Sequence, residues 1–185
     1  HFKAHKSIAL VRLQLESGAN SVCCQTSWEA LALARAGVRD IMLTNQVVDP
    51  TALGELSEAA RQAELSALVD HPWHVTLLAD AARRAGAVIG VLVEVDVGMK
   101  RCGVAPDSAE LAALAAAVSA EPGLRFLGIQ AYDGQVAAMK DPAARRLAAA
   151  GSAALTQQAI DNLAAAGFRC PVVAGCSTGH MPFVR

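Results

Sequence analysis

Short apolar runs alternate with helix-forming segments along the whole chain, and this alternation most constrains the fold. Near-continuous apolar runs are typical of parallel strands that are covered by helices on both faces. Strands are predicted at the end of segment 1–7 and at 21–24, 40–44, 65–69, 88–95, 124–131 and 171–174. Helices are predicted after Ser7, after Thr26, and at 50–63, 72–85, 107–120 and 143–166. Strands and helices in this order predict an α/β fold of right-handed βαβ units.

Polar side chains follow the predicted strands at the points where the strands end. An open doubly wound sheet collects its site at one switch point, whereas a closed ring collects polar groups at every strand end. The pattern therefore favours an incomplete (β/α)8 TIM-type barrel over an open sheet. The strand-end residues are Lys3, Gln25, Asn45, Asp70, Asp96, Arg101, Tyr132, Ser177 and Thr178.

The two ends of the chain suggest that it is one part of a larger protein. The sequence starts without methionine, in what resembles the last part of a strand, and it ends at Arg185 just after a glycine-bearing loop. We expect residues 1–185 to form one partial barrel domain that is truncated at both ends.

Composition argues against several classes of partner. The formal charge is −1 and no basic patch with interleaved aromatics occurs, so nucleic acid is not expected. No apolar run approaches the roughly 20 residues of a membrane span. The five cysteines lack metal-finger spacing, which favours reduced thiols in the cytoplasm. Cys23, Cys24 and Cys170 are interpreted as small buried hydrophobic residues.

The segment His1–Ser7 carries the candidate nucleophile. In an extended segment, His1, Lys3 and His5 lie on one face, and Ser7 then caps the first helix. Lys3 is therefore predicted at the carboxyl end of a barrel strand, where active sites of such barrels lie, with an amine placed to form a Schiff base. The alternative is that the lysines and histidines here are merely solvated.

The loop Gly175–Gly179 is a candidate phosphate site. Glycines allow close approach of the backbone to an anion, and the hydroxyls of Ser177 and Thr178 add donors. Loops after the last strands of such barrels commonly bind phosphate, although a turn of small residues is as often only a turn. With Lys3, this loop points to pyridoxal 5′-phosphate as cofactor.

Two further residues are candidate contacts of the cofactor. Arg101 is placed to donate to the phenolic oxygen, or else to form a salt bridge with Glu94 or Asp96. Tyr132, the single tyrosine, is placed to pack against the cofactor ring, or else lies at the rim without a role.

Several sequence blocks, in order, resemble one known family. The blocks are His1–Ser7, Gly18–Ala19, Val22–Gln25, Thr44–Val48, Val93–Gly98, Arg101–Val104, Gly128–Tyr132 and Gly175–Gly179. Together they resemble the D-threonine aldolase and D-serine dehydratase family of pyridoxal phosphate enzymes, which is related in fold to alanine racemase. The residues at Cys23–Gln25 and at Asn45–Val48 most resemble those of the 3-hydroxy-D-aspartate aldolase subgroup.

The resemblance implies a chemistry and an architecture. Lys3 would carry the cofactor, with Gln25, Arg101, Tyr132 and the residues Gly175, Ser177, Thr178 and Gly179 in its site. A D-3-hydroxy amino acid would be cleaved by a retro-aldol step to glycine and an aldehyde. A divalent cation, Mg²⁺ or Mn²⁺, would polarise the β-hydroxyl, with ligands in a C-terminal β-domain absent from this chain; no metal ligand is assigned here. A homodimer is expected for the full-length form.

The chain departs from the family's sequence pattern in two places. After Tyr132 the aldolases continue His-Gly-x-x-Gln-His, but this chain has Asp133 and Ala138 at the two histidine positions. His180 also replaces a small hydroxyl residue after Gly179. Loss of one positioned base slows such a step by roughly 10²–10⁴-fold, so Asp133 and His180 are candidate replacements. The alternatives to a lyase are a dehydratase of D-serine or 3-hydroxyaspartate, and a non-catalytic protein that binds the cofactor.

Overall fold

The computed structural model describes residues 1–180 and Phe183. Within them, six strands alternate with α-helices in chain order. A 3-10 helix spans Phe2–Ala4. The strands are β1 (Val22–Cys24), β2 (Asp40–Leu43), β3 (Glu64–Val69), β4 (Ile89–Glu94), β5 (Leu124–Ala131) and β6 (Val172–Gly175). The helices are α1 (Ile8–Glu16), α2 (Ser27–Arg35), α3 (Pro50–Ala60), α4 (Pro72–Ala85), α5 (Ala109–Ala120), α6 (Gly134–Ala138) and α7 (Pro142–Ala165).

The strands form one sheet in chain order, β1-β2-β3-β4-β5-β6. Strands β1 and β2 pair in parallel with Cys23 opposite Met42, and β2 pairs in parallel with β3. Strands β5 and β6 pair in parallel with Ile129 opposite Val173. Parallel neighbours in sequence order are the arrangement that the βαβ alternation predicts.

The first predicted strand is wrong, because Phe2–Ala4 is a 3-10 helix. The N–H of Ala4 donates to the His1 carbonyl at 3.2 Å, and that of Lys6 donates to the Phe2 carbonyl at 2.8 Å. Phe2 is buried, and the His1 side chain accepts from the N–H of Lys3 at 3.3 Å. Burial of one aromatic ring and a side-chain cap thus stabilise a turn where polar alternation suggested extension. The observed strands therefore number six within the described residues, not seven.

Helix starts follow from residues that cap them. Ser7 begins α1, Thr26 begins α2, and Asp49 accepts from the N–H of Ala52 at the start of α3, where Pro50 occupies the first turn. Helix α6 has no capping hydrogen bond from a side chain and was not predicted. No helix among the described residues has both the length and the hydropathy that crossing a membrane requires.

One compact unit contains residues 1–91 and 118–126. Its helices α2, α3 and α4 pack side by side and bury Leu33, Leu56 and Leu78. Burying a leucine contributes about 1.5–3 kcal/mol, so this row is a main source of stability. The buried Ser57 hydroxyl is also satisfied, because it donates to the carbonyls of Leu53 and Ala81 at 2.9 and 3.0 Å.

The second compact unit contains residues 92–117 and 127 onwards. Its core includes Val93, Leu111, Ile129 and Leu163, all without exposed surface. At Gly128 the backbone has φ +136°, and an added Cβ would lie well inside 3.0 Å of the Val172 carbonyl oxygen. Only glycine permits this close pairing of β5 with β6, which sets the position of the loop that follows β6.

Candidate active site

Lys3 lies at the carboxyl ends of β1 and β2. Its Nζ donates to Gln25 Oε1 at 3.3 Å, and Gln25 directly follows β1. His1 Nε2 and the Thr44 hydroxyl lie 2.9 Å apart, and Thr44 directly follows β2. The Lys3 side chain is exposed, and among the described residues its amine has this one neutral partner. The prediction that Lys3 ends a strand of its own is wrong, because Phe2–Ala4 is a 3-10 helix, and Lys3 instead lies beside the residue that follows β1.

Lys6 is held by a buried carboxylate. Its Nζ lies 2.9 Å from Glu29 Oε1 and 4.8 Å from the centroid of the Trp28 ring. Glu29 is 0 % exposed, and its Oε2 accepts from the backbone N–H of Gln25 at 2.8 Å. Glu29 therefore connects Lys6 to the residue that contacts Lys3. In the sequence, Glu29 is marked only by its capping-box spacing, three residues after Thr26.

The charge of Glu29 is stabilised in place. Burial raises the pKa of Glu29, but the Lys6 ammonium and the backbone N–H of Gln25 outweigh burial and hold the pKa below its ordinary value. The negative charge in turn acts on the thiol of Cys24. Burial first, and then Glu29, raise the pKa of Cys24 to about 12, so this thiol stays protonated.

Arg101 and Tyr132 come together in the second unit. The Arg101 guanidinium lies 5.3 Å from the Tyr132 ring centroid and 3.6 Å from Glu94 Oε1. Arg101 thus makes the predicted salt bridge with Glu94. Its side chain is 51 % exposed, so the ion pair is weak and leaves donors of the guanidinium available to a ligand.

Asp96 shapes the loop that carries Arg101. Asp96 Oδ1 accepts from the N–H groups of Gly98 and Lys100, both at 2.9 Å. Gly103 has φ +99°, and an added Cβ would meet the backbone nitrogen of Asp96 at 2.7 Å. Asp96 is therefore a residue that orders the loop.

The loop Gly175–Gly179 is fixed at its start against the last residue of β5 and at its end against α6. Gly175 has φ +155°, and an added Cβ would overlap the Ala131 carbonyl oxygen. The N–H of Cys176 donates to that same oxygen at 3.2 Å. An added Cβ on Gly179 would lie closer than 3.0 Å to the Ala137 backbone. Glycine is thus required at both positions by the close approach of neighbouring backbone.

An unpartnered hydroxyl lies within this loop. Ser177 Oγ is buried and has no hydrogen-bond partner among the described residues. A buried hydroxyl without a partner is costly and calls for an explanation such as an absent ligand or water. The glycine-bounded loop and this free donor fit a phosphate group. They are the features of this chain that suit the phosphate of pyridoxal 5′-phosphate.

Asp133 and His180 form a buried hydrogen-bonded pair. His180 Nδ1 contacts Asp133 Oδ2, and the residues are 6 % and 1 % exposed. Each was predicted separately as a replacement for the histidine expected at Ala138, and their pairing was not predicted. Ala138 itself is exposed at the end of α6.

No disulfide joins the cysteines, all five of which lie within the described residues. Cys24 is fully buried, whereas Cys23 and Cys170 are only partly buried, so the prediction of burial holds fully for one of the three. Burial, with a smaller contribution from Asp133, raises the pKa of the Cys176 thiol. A protonated thiol is a poor nucleophile, so Cys176 is not a candidate for the reacting group.

Three non-glycine residues adopt left-handed backbone angles. Among the residues that the structure describes, they are Lys6 (φ 48°), Lys100 (φ 53°) and Cys176 (φ 61°). Each lies in one of the three segments that the sequence marks for cofactor binding. Such conformations cost about 1–3 kcal/mol each and concentrate at functional sites. This signal is invisible in the sequence.

The predicted site residues form two groups. Lys3 and Gln25 contact each other in the first unit, whereas Arg101 contacts Tyr132 in the second. The loop Gly175–Gly179, with Ser177 and Thr178, belongs to the second unit. The additional residues that the structure connects to these groups are Lys6, Glu29, Thr44, Asp133 and His180.

Comparison with known proteins finds similarity along nearly the whole chain. The family model for the alanine racemase N-terminal domain matches residues 1–183. A D-threonine aldolase from Arthrobacter sp. is 39 % identical over 183 residues, which are 99 % of this chain and 48 % of that protein. A 3-hydroxy-D-aspartate aldolase from Paracoccus denitrificans (strain Pd 1222) is 36 % identical over 185 residues, 99 % of this chain and 48 % of that protein.

A solved structure gives the same result for the fold. The crystal structure of D-threonine aldolase from Filomicrobium marinum superposes with a TM-score of 0.95 at 39 % identity, covering 99 % of this chain and 49 % of that one. The chain thus spans about half the length of the proteins it matches. The fold is α/β and corresponds to an incomplete barrel of the alanine racemase type, which confirms the prediction.

Proposed function

Because the chain belongs to the alanine racemase N-terminal domain family, we propose that it forms the pyridoxal-phosphate-binding part of a D-3-hydroxy amino acid lyase. The reaction is a retro-aldol cleavage to glycine and an aldehyde. The proposal of this substrate class is supported by the similarity to a D-threonine aldolase and to a 3-hydroxy-D-aspartate aldolase. D-threonine and 3-hydroxy-D-aspartate are accordingly the two substrates to test.

The observation that carries the proposal is the different environment of the two lysines. Lys6 is ion-paired with Glu29 at 2.9 Å, whereas the partner of Lys3 is the neutral amide of Gln25 at 3.3 Å. The Lys6 amine is engaged by the Glu29 carboxylate and the Trp28 ring, whereas the exposed Lys3 amine has one weak neutral partner and is accessible to an aldehyde. Lys3 is therefore the residue that binds the cofactor covalently, and Lys6 keeps Glu29 and the Gln25 backbone in place.

Other residues of the chain hold the rest of the cofactor. The backbone amides of Gly175–Gly179 and the hydroxyls of Ser177 and Thr178 would hold the phosphate, which would give Ser177 the partner that it lacks. Arg101 would donate to the phenolic oxygen, and Tyr132, which lies beside Arg101, would pack against the ring. When bound, pyridoxal phosphate supplies an electron sink for the electron pair released at Cα.

Three further properties belong to the same proposal. A divalent cation, Mg²⁺ or Mn²⁺, would supply a Lewis acid for the β-hydroxyl, and no ligand for it is assigned in this chain. The full-length form is a homodimer. The location is the cytoplasm, a reducing compartment suited to five free thiols.

The test uses the full-length protein with added pyridoxal phosphate and Mg²⁺ or Mn²⁺. We expect glycine to form from D-threonine or from 3-hydroxy-D-aspartate, and Lys3→Ala to abolish it. Formation of pyruvate from D-serine, or of oxaloacetate from 3-hydroxyaspartate, would instead identify a dehydratase. A cofactor absorbance band without any turnover would identify a non-catalytic binding protein and contradict the lyase.

A further inference from the structure

The loop Gly175–Gly179 contacts residues 131–137, which are the last residue of β5 and the segment that follows it, at several points. At its start, Gly175 and Cys176 contact the Ala131 carbonyl. At its end, Gly179 packs on the backbone of Ala137 in α6. A loop whose two ends rest on one short segment takes its shape from that segment. The residues that join loop and segment are therefore candidates for tuning whatever the loop binds.

A buried contact between the side chains of Asp133 and His180 also joins the loop to this segment. The pair joins the first residue after Tyr132 to the first residue after Gly179, across 47 positions of sequence. The N–H of His180 also donates to the Ser177 carbonyl at 2.9 Å, so His180 closes the turn that contains the unpartnered Ser177 hydroxyl. A carboxylate that contacts Nδ1 fixes the proton on that nitrogen and the orientation of the ring.

Packing in the core does not by itself explain why these two polar side chains are buried. Both are buried polar groups, and Asp133 Oδ1 has no hydrogen-bond partner among the described residues. Asp133 begins α6 without capping it. Both residues also differ from the family's sequence pattern, and in the structure the two side chains contact each other.

We propose that Asp133 and His180 are a coupled pair of positioning residues that sets the shape of the Gly175–Gly179 loop for a phosphate monoester. The inference rests on the proposed cofactor function and deepens it. The pair holds the closing turn of the loop, so that the Ser177 hydroxyl and the loop amides are ordered before the anion arrives. Ordering donors in advance removes part of the entropic cost of binding.

The test compares two probes that differ only in the phosphate. The dissociation constants of pyridoxal 5′-phosphate and of pyridoxal are measured on the full chain for the native protein, Asp133→Asn, His180→Ala and the double variant. We expect each single variant to raise the dissociation constant of pyridoxal phosphate about tenfold or more, and to change that of pyridoxal less than about threefold. Because the two residues act together, the double variant should bind pyridoxal phosphate about as tightly as the weaker-binding of the two single variants.

Two controls separate positioning from general damage. His71→Asn removes a histidine at the start of α4, outside the loop, and should leave both constants unchanged. His180→Gln keeps a side-chain donor that can reach Asp133 and should recover part of the lost phosphate affinity. Variants that bind both probes equally weakly, or additive effects of the two substitutions, would overturn the proposal. Unchanged binding of both probes with lost turnover would do the same, because it would make His180 a base.

A measurement on the native chain covers the case in which a variant fails to fold. Adding inorganic phosphate should shift the backbone amide resonances of residues 176–180, and the His180 imidazole should carry its proton on Nδ1. Absence of both signals would refute the pair's role at the loop. If Lys3 forms the cofactor adduct but the pair does not affect phosphate affinity, this inference fails while the proposed function stands. If the native chain binds neither probe, both fail.

Discussion

Replacing Glu29 is the most informative perturbation of the first unit. Glu29→Ala removes a fully buried carboxylate that accepts from the Gln25 N–H at 2.8 Å and faces Lys6 at 2.9 Å. A hydrogen bond to a charged acceptor contributes about 1.5–3 kcal/mol. The Lys6 ion pair adds about 0–1 kcal/mol, because its lysine side chain is 53 % exposed. We expect a loss of about 2–4 kcal/mol in the free energy of unfolding.

Urea denaturation and thermal melting measure this loss. For a chain of this size the melting temperature should fall by about 4–16 °C. Since the pKa of Glu29 is lowered in the folded state, its stabilisation is present above the ordinary carboxyl pKa and is lost as pH falls through the lowered value. The near-isosteric Glu29→Gln should therefore be less stable than the native chain at neutral pH, and the difference should shrink in acid.

Two results would refute this reasoning. One is a Glu29→Ala variant within about 0.5 kcal/mol of the native chain, the size of an ordinary surface substitution. The other is a stability difference between Glu29→Gln and the native chain that stays constant from neutral to acid pH. Either would mean that the carboxylate does not hold Lys6 and the Gln25 backbone as the structure indicates.

Three further predictions concern single residues. Gly54→Ala should raise the free energy of unfolding by about 0.5–1 kcal/mol, because Gly54 lies in α3 with no atom near an added Cβ. Gly175→Ala should lower the free energy of unfolding by about 2 kcal/mol or more, because its Cβ would meet the Ala131 carbonyl. Equal effects of the two substitutions in urea denaturation would contradict this prediction. Ser57→Ala should cost about 1–2 kcal/mol, since two carbonyls lose a buried donor, and a neutral result would show that the hydroxyl is dispensable. Arg101→Gln should change stability by less than about 0.5 kcal/mol yet shift the absorbance maximum of bound cofactor; an unchanged spectrum would remove Arg101 from the site.

Much of the fold follows from local sequence. The strands β1 to β6 are short apolar runs, and Ser7, Thr26 and Pro50 lie at helix starts as their side chains predict. Parallel pairing in chain order follows from the alternation itself. These features depend on residues near one another in sequence, which is why the sequence predicts them.

The features that were missed depend on distant partners. Phe2 turns the N-terminal segment into a 3-10 helix by being buried, which polar alternation at Lys3 does not reveal. Helix α6 has five residues and no capping hydrogen bond, so it carries no periodic signal. Asp133 and His180 meet only because β5 and β6 are neighbours, and no local pattern joins them.

The central claim concerns a single amine and is tested by finding where the cofactor attaches. The full chain is incubated with pyridoxal 5′-phosphate, reduced with borohydride and digested, and the modified peptide is identified by mass spectrometry. The account predicts the adduct on Lys3, lost in Lys3→Ala and kept in Lys6→Ala. An adduct on Lys6, or no adduct on either lysine, would contradict it.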